Sequence, residues 1–555
     1  MINMNGLYHF FCRSGLLLMV LIAGGCAGRL QPVEMPMEMT PSPSHSAKWE
    51  HLSEIHPGDW FHVLNQGDDA LDWRLRAIDS AVESIDLQTF IWELDGAGSM
   101  VRDHLLAAAE RGVFVRVLLD DSFILDADQA LLDIDEHPGI EIKIFNPYKR
   151  RSSNVALRAM LNLGEFHRLD HRMHNKVIVV DNRVAIIGGR NIAQQYYGYH
   201  ETQNFRDLEL VGGGPFVQKL SRGFDDYWNN RWSFPVNMIM ELRSGPGKPK
   251  TLSFDDSTGS EWHQEESPEL RIKAWQDLAK SAHPGKARLF LDDPPSDSPD
   301  SAADVPEQLA FDLLEIIDSA TSELWLVSAY LIPTSELEDA IERCEQRGVQ
   351  VRILTNSINS NNHITAHSAY RKHLDELIAS GAEIHEVRAD AKDRANYIAS
   401  PVEEKVLGLH AKIIVVDNNV VFVGSANLDP RSLKINTEIG LVIESEALNR
   451  ELRELLEPDF SLRNAWHVQL DEQGKTIWVS DDETLRSQPA HSFMQRIEDW
   501  FFMKLPIESP QELETGLQVK KGALEFKDVS FSYPDSPVPA LQNIKLRFEP
   551  GETVA

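Results

Sequence analysis

The sequence predicts an α/β protein with two copies of one domain, which face each other as a pseudo-two-fold dimer within one chain. Three observations support this prediction. Two long segments repeat the same order of apolar patterns, strands alternate with helices in both, and the two copies keep a constant spacing. Alternating strands and helices form βαβ units, so each domain is expected to contain a mixed or parallel sheet flanked by helices.

The repeat is clearest where a helix–strand–helix–strand pattern recurs, over 76–119 and again over 315–354. In each copy a glycine follows the second helical pattern, as expected at a helix C-terminus. Chance similarity does not keep one offset over a long stretch, so the chain contains an internal duplication. The offset is 236 residues for three pairs: Gly112 and Gly348, His174 and His410, and Asn191 and Asn427.

The N-terminus has the parts of a bacterial lipoprotein signal, in the expected order. Arg13 precedes an apolar run over 16–22, and small residues then lead to Cys26. We therefore expect Cys26 to be lipidated; an ordinary signal peptide or an uncleaved anchor is the alternative. All of these predict a bacterial cell-envelope protein, associated with the membrane on its periplasmic side. Residues 27–55, rich in Pro, Met, Ser and Glu, predict a flexible linker.

Changes in composition divide the rest of the chain. The segment over 241–303 is rich in Pro, Ser, Asp and Gly and is expected to be an exposed connection with a helix near its middle, at 270–278. The predicted parts are a signal segment over 1–26, a linker over 27–55, a first domain over 56–240, a connecting segment over 241–303, a second domain with an amphipathic C-terminal helix over 304–508, and a further segment over 509–555.

Charge and cysteine content argue against some functions. The formal net charge of −32 is unfavourable for binding a polyanion, so no nucleic-acid partner is expected. The chain has three cysteines, none in a C-x-x-C pair, so neither a disulfide framework nor a zinc site is expected.

Each copy carries the motif His-x-Lys-x₄-Asp, which continues into a β-branched strand. On a strand, residues i and i+2 share one face, so each histidine projects beside its lysine. An imidazole can attack phosphorus near neutral pH, and an ammonium group neutralises phosphate oxygens. Two such motifs at one cleft would supply a nucleophile, a proton donor and two cations. The motif residues are His174, Lys176 and Asp181 in the first copy, and His410, Lys412 and Asp417 in the second.

The motifs continue as Gly-Gly-Arg-Asn and Gly-Ser-Ala-Asn, ending at Asn191 and Asn427. With these sequels the chain resembles the phospholipase D superfamily, and within it the bacterial cardiolipin synthase branch, over roughly 55–508. Further matches lie at 204–207, 355–357 and 436–438. The resemblance implies two phospholipase D-type domains and a ping-pong reaction through a phosphohistidine.

The resemblance also implies a role for each matching residue. His174 is expected to be the nucleophile and His410 the acid and base, although the sequence alone does not break their symmetry. Asp181 and Asp417 belong to the catalytic motif but are expected to be structural. No cofactor or metal is expected. The remaining roles are phosphate binding by Lys176, Lys412, Asn191, Ser425 and Asn427, and orientation of the imidazoles by Asp207 and Glu438.

The favoured function is cardiolipin synthesis from phosphatidylglycerol and a second phospholipid, at a membrane surface. A hydrolytic phospholipase D that releases phosphatidic acid and, less favoured, a nuclease of the same superfamily are the alternatives. A non-catalytic envelope binding protein would predict a damaged motif, and both copies are intact. Residues 154–163 and 493–505 are apolar-rich helix candidates that would suit a bilayer surface, or equally the protein's own core.

The segment over 509–555 resembles the opening strands of an ABC-transporter nucleotide-binding domain, with Tyr533 at the position of the adenine-stacking aromatic residue. The phosphate-binding loop of that family is not within the sequence, so no ATP binding is expected. We expect a non-functional fragment that forms at most a small exposed sheet.

Overall fold

The computed structural model describes residues 30–124, 127–151, 158, 161–241, 255, 266–295, 308–503, 524–531 and 541–548. Cys26, Tyr533 and most of the helix candidate over 154–163 lie outside these ranges. Within them, no helix is both long and apolar enough to span a bilayer.

The first half forms a mixed sheet of nine strands, in the order β10-β1-β8-β6-β5-β2-β3-β4-β9, with β2, β3 and β4 parallel. Helices cover this sheet. The elements in chain order are α1 (Ala47–Ile55), β1 (Trp60–Leu64), α2 (Gly67–Ser80), β2 (Ser84–Thr89), α3 (Gly96–Glu110), β3 (Phe114–Asp120), α4 (Asp128–Asp135), β4 (Ile140–Phe145), α5 (Phe166–Asp170), β5 (Val177–Val180), β6 (Val184–Gly188), β7 (Gln203–Arg206), β8 (Glu209–Gly213), α6 (Pro215–Trp228), β9 (Ser233–Pro235), α7 (Val236–Glu241), α8 (Pro268–Ser281) and β10 (His283–Pro284).

The second half repeats this architecture in a sheet of ten strands, in the order β11-β18-β17-β16-β12-β13-β14-β19-β20-β21. Its first eight strands correspond to the run from β1 to β9 of the first sheet. The elements are β11 (Lys286–Leu291), α9 (Gln308–Asp318), β12 (Glu323–Ser328), α10 (Ser335–Gln346), β13 (Gln350–Asn356), α11 (Ile364–Ser380), β14 (Glu383–Val387), β15 (Val406–Leu409), β16 (Lys412–Val416), β17 (Val420–Gly424), α12 (Pro430–Lys434), β18 (Ile439–Glu444), α13 (Glu446–Leu456), β19 (Ala465–Leu470), β20 (Thr476–Val479), β21 (Thr484–Leu485) and α14 (Phe493–Met503).

Local sequence explains the two inner strands that carry the motifs. The residues of β5 and β16 are valine and isoleucine apart from the first residue of β16, and all are buried, which suits a strand covered on both faces. Asp181 and Asp417 follow these strands with φ values of 52° and 47° and begin the turns to β6 and β17. The predicted helix-ending glycines, Gly112 and Gly348, also have positive φ, 90° and 83°.

The two sheets pack on each other through the inner strands of both halves. Alternate residues of each inner strand enter one shared core, while their neighbours enter the separate core of their own half. The duplicated domains therefore face each other, as the sequence predicts. The shared core includes Val177, Val179, Ala185 and Ile187 of the first sheet and Ile413, Val415, Val421 and Val423 of the second.

The prediction of a flexible linker over 27–55 is wrong for its described part, 30–55, which is packed on the first domain. The Thr40 hydroxyl lies 2.9 Å from a carboxylate oxygen of Asp86 and accepts a hydrogen bond from Arg116 at 2.6 Å. Trp49 is buried and donates to Asp181 at 2.6 Å. The segment packs through Leu30, Trp49 and Leu52 as well as through polar contacts, although its overall composition resembles that of a linker.

The connecting segment, in its described residues 266–295, packs on the two domains more than predicted. The expected helix is present as α8, but its Trp275 is buried between Trp49 and Trp73. β11 pairs with β18 just as β1 pairs with β8, so the second domain begins before residue 304.

Two further strands lie near the C-terminus, β22 (Leu524–Phe531) and β23 (Leu541–Phe548). They pair with each other antiparallel in a sheet of their own, which matches the expected small sheet.

Replacing Thr40 with valine tests whether the N-terminal segment is part of the fold. The change leaves Asp86 and Arg116 without their hydroxyl partner, so the free energy of unfolding should fall by about 1–3 kcal/mol in urea denaturation. Thr202→Val, at an exposed position, serves as the matched control and should change little. Equal stability of the two variants would support the original prediction of a flexible linker.

Candidate active site

Both motifs lie at the start of an inner strand. His174 and Lys176 directly precede β5, and His410 precedes Lys412, the first residue of β16. All four side chains are buried: the histidines are 8% and 5% exposed, and each lysine is 2% exposed. Lysine is rarely buried so completely without a partner, which indicates a site rather than a surface.

Backbone hydrogen bonds between the two halves bring the motifs together. The amide of His174 donates to the carbonyl of Thr437 at 2.9 Å, and the amide of His410 donates to the carbonyl of Arg206 at 2.8 Å. β7 and β15 pair in parallel across the halves at the second of these positions. The amide of each histidine therefore bonds a residue of the other half that directly precedes a carboxylate, Glu438 or Asp207.

Each imidazole is oriented by a carboxylate from the opposite half. Nδ1 of His174 lies 2.9 and 3.0 Å from the two oxygens of Glu438, and Nδ1 of His410 lies 2.6 Å from Oδ2 of Asp207. The sequence predicts two such bonds but not that they cross between the halves. Because Nδ1 is engaged, Nε2 of each ring is the nitrogen left to face a substrate.

The two lysines sit among these groups and are difficult to keep charged. Lys176 donates to the carbonyl of His174 at 2.6 Å, and Lys412 donates to that of His410. Burial lowers the pKa of Lys176 to about 7 and that of Lys412 to about 8. The charge of Lys412 also lowers the pKa of Lys176, so an anion bound between the two ammonium groups would stabilise their charged forms.

Burial lowers the pKa of both imidazoles as well. For His174 the nearby Lys176 and Lys412 add to burial and bring the pKa well below its usual value. For His410, burial and Lys412 outweigh Asp207 and bring the pKa to about 3. Both rings are therefore neutral near pH 7, and a phosphate anion would raise both pKa values.

The two carboxyl groups differ in their surroundings. A side chain at Gly189 would place its Cβ 2.5 Å from an oxygen of Asp207, so only glycine fits there. The equivalent residue, Ser425, donates its hydroxyl proton to Glu438. Burial raises the pKa of Glu438 to about 7, whereas His410 overcomes burial and lowers the pKa of Asp207 to about 2. Asp207 is thus the more firmly ionised carboxylate.

The predicted asparagines lie at the ends of β6 and β17, close to the motifs. Asn191 accepts the amide hydrogen of Ile91 at 3.2 Å and also bonds the hydroxyl of Tyr196. Asn427 is buried, and its Oδ1 has no partner within the described part of the chain. Asn427 therefore keeps a polar atom available to a ligand, while Asn191 is mostly engaged by the protein.

Asp181 and Asp417 do not lie with the other motif residues. Each follows its strand at the far end, roughly 20 Å of extended chain from its histidine. Asp181 accepts the amide hydrogens of Val82, Glu83 and Ser84 at 2.7–3.1 Å. Asp417 does the same before β12. Counting them among the catalytic residues is wrong; both carry out the structural role that we expect, although Asp417 is only half-buried.

Asp120 and Asn356 are a second pair of duplicated residues, for which no role was predicted from the sequence. Asp120 accepts the amide hydrogen of Met173 at 3.1 Å, and Asn356 accepts that of Leu409 at 2.8 Å. Each therefore fixes the residue immediately before a motif histidine. The constant offset of 236 also relates these two positions and was the signal that could have revealed them.

Aromatic rings complete the walls of the site. Phe90 lies edge to face with the His174 ring at 4.8 Å, and Tyr196 lies in the same way against His410 at 4.9 Å. Tyr196 is therefore part of the site, where the sequence offered no reason to place it. These rings limit how far either imidazole can rotate.

Comparisons with known proteins show which family the chain matches. Residues 75–228 and 313–460 match the family described as cardiolipin synthase, PLD-like domain. Cardiolipin synthase C of Escherichia coli K12 is 31% identical over 473 residues, covering 82% of this chain and 97% of that protein. Cardiolipin synthase B of Shigella flexneri is 24% identical, covering 72% of this chain and 80% of that protein.

Among solved structures, phosphatidylserine synthase of Haemophilus influenzae Rd KW20 is similar with a TM-score of 0.49 and 14% identity. The match covers 75% of this chain and 91% of that one.

Replacing Asp181 with alanine should lower the stability of the fold without changing anion binding at the site. Three backbone amides and the Trp49 indole lose their acceptor, so the free energy of unfolding should fall by about 2–4 kcal/mol. Calorimetric titration with tungstate, a phosphate mimic, should give an unchanged affinity below the unfolding temperature. Weaker tungstate binding at unchanged stability would instead assign Asp181 to the anion site.

The lowered lysine pKa values predict that anion binding weakens as pH rises. The ammonium forms exist below the pKa values of about 7 and 8 and are lost above them. Tungstate stays a dianion throughout, so any loss of affinity from pH 6.5 to pH 9 reports on the protein, and we expect about tenfold or more. Lys412→Arg, which stays charged, should reduce this dependence. A flat profile for the wild-type chain would contradict the assignment.

Proposed function

The chain belongs to the cardiolipin synthase family of phospholipase D-like proteins, and on that premise we propose that it makes cardiolipin from phosphatidylglycerol and a second phospholipid. It is a transferase of the phospholipase D superfamily. The observation that carries the proposal is the crossed pairing of each motif histidine with a carboxylate of the other half. That pairing supports one shared site for a single phosphodiester.

In the first step, Nε2 of His174 attacks the phosphorus of phosphatidylglycerol. The bond from phosphorus to the glycerol oxygen breaks, and His410 gives its proton to that oxygen as glycerol leaves. Lys176 and Lys412 bind the non-bridging oxygens and stabilise the negative charge that develops on them. The product of this step is a phosphatidyl group on His174.

In the second step, a hydroxyl group of the second phospholipid loses its proton to His410 and attacks the same phosphorus. The phosphorus–nitrogen bond breaks, which frees His174 and completes the new phosphodiester. When both substrates are phosphatidylglycerol, the product is cardiolipin and the overall by-product is glycerol. His410 therefore acts first as an acid and then as a base.

The unequal carboxyl groups support this division of roles. Asp207, whose pKa is about 2, is a full negative charge beside His410 and favours a protonated ring there once phosphate is bound. Burial raises the pKa of Glu438 to about 7, so it provides a weaker charge beside His174. A less stabilised imidazolium keeps His174 neutral, as a nucleophile must be.

Burial of the site supports transfer over hydrolysis. The side chains of His174 and His410 are 11% and 7% exposed, and aromatic rings flank them. A phosphohistidine formed here is shielded from bulk water, so an alcohol held in the site competes well with water.

The protein is proposed to act at the membrane surface of a bacterial cell envelope, on the periplasmic side, anchored through Cys26. The packed N-terminal segment supports this orientation. The amide of Leu30 donates to Glu165 at 2.9 Å, next to α5, which directly precedes the first motif. An anchor four residues earlier would therefore hold that side of the site near the bilayer.

The proposal is tested with the full chain and labelled phosphatidylglycerol in vesicles, with and without phosphatidylethanolamine. We expect labelled cardiolipin and glycerol, and a loss of at least about 10³-fold in turnover for His174→Ala and for His410→Ala. Phosphatidic acid as the main product would support a hydrolase. Inertness toward lipid together with plasmid nicking would support a nuclease.

The two histidines can then be distinguished by the leaving group. A p-nitrophenyl phosphodiester needs no proton donor, so His410→Ala should still release p-nitrophenolate and retain a labelled phosphohistidine, whereas His174→Ala should do neither. The reverse result would exchange the two roles without affecting the transfer reaction itself.

A further inference from the structure

Three ligand-bearing side chains lie together on the second sheet, outside the catalytic constellation. Glu383 and His385 are two residues apart on β14, so they share one face of the sheet. His467, on the neighbouring antiparallel strand β19, is the direct cross-strand partner of His385. Directly opposed residues on one face have Cβ atoms about 4.5–5.5 Å apart. The strand register alone therefore brings the three side chains to one point.

The side-chain geometry fits this placement. One ligand atom from each of the three residues lies within 4.8 Å of the others. Nε2 of His385 lies 2.7 Å from Oε1 of Glu383, and the rings of His385 and His467 are stacked at 5.0 Å with an angle of 11° between their planes. His385 is only 4% exposed, and within the described residues its Nδ1 has no hydrogen-bond partner.

We propose that Glu383, His385 and His467 bind a zinc ion. Two imidazole nitrogens and one carboxylate oxygen form a ligand set that zinc prefers, with a fourth position open to water. Ligand atoms around zinc lie about 2.0–2.2 Å from the metal, so the three ligand atoms must approach each other and the stacked rings must turn about their side-chain bonds to face one ion.

Neighbouring groups hold the carboxylate without competing for the same oxygen. Nε of Arg352 lies 3.6 Å from Oε2 of Glu383, while another nitrogen of Arg352 bonds Glu457 at 2.8 Å. This leaves Oε1 of Glu383 on the side of His385. Phe460 packs edge to face on the His385 ring at 5.4 Å and limits its rotation. Such outer contacts orient the ligands of metal sites.

The proposed zinc site lies outside the catalytic constellation and takes no part in the proposed transfer reaction. A bound ion would add a link between β14 and β19, which pair as neighbours in the sheet but are separated by nearly eighty residues of chain that include the whole second motif. Binding to the folded chain alone stabilises it in proportion to the ion's concentration. The metal would therefore stabilise the pairing of β14 with β19 in the second sheet.

The test uses the full chain after treatment with a chelator. Zinc titration followed by calorimetry and thermal unfolding should give one site, a higher unfolding temperature with zinc, and no such effect with magnesium. His467→Gln should weaken zinc binding at this site at least tenfold and remove the thermal shift. His373→Gln is the matched control, because it alters the separate cluster of His373 and Glu338.

His467→Gln should unfold at the same temperature as the wild-type chain when both are metal-free, which shows that the variant folds. Failure of the stripped chain to bind zinc would overturn the proposal. So would zinc binding and a thermal shift that are unchanged in His467→Gln or that are lost in His373→Gln.

Discussion

The exchange of hydrogen bonds between the two halves is the interaction on which the rest of the site depends. His174 takes its orientation from Glu438, and His410 takes its orientation from Asp207. The backbone bonds at Thr437 and Arg206 place those carboxylates, so neither half contains a complete site. Duplication of one domain has therefore produced a single centre with two unequal ends.

The electrostatics of this centre favour a bound anion. Two ammonium groups and two imidazoles are buried together, and burial lowers all four pKa values. Burying charged groups without sufficient partners is costly, and the carboxylates offset only part of that cost. A phosphodiester anion supplies the remaining negative charge, so it stabilises the protonated groups that the reaction then uses.

Much of this could be predicted from the sequence, because the informative signals were local or periodic. The motif spacing predicts that histidine and lysine share a face, and the constant offset predicts the duplication. The crossing of Asp207 and Glu438 could not be predicted, since chain order does not say which half approaches which imidazole. The packing of the segment around Thr40 was not predicted because the polar composition of this segment resembles that of a linker.

Non-local pairing explains the other omissions. The role of Asp120 depends on a strand end that meets Met173, some fifty residues later, and the cluster of His385 and His467 depends on the register between two distant strands. Cysteine spacing, the signal used to assess metal binding, does not detect histidines brought together in this way.

The histidines and lysines of both halves are proposed to contact one phosphoryl group. A crystal structure of the full chain with vanadate, which mimics the five-coordinate phosphorus of the transfer step, tests it directly. We predict one vanadium per chain, with Nε2 of His174 and Nε2 of His410 on opposite sides of it and both lysines on its oxygens. Vanadate bound to one half alone, or one ion in each half, would contradict the account.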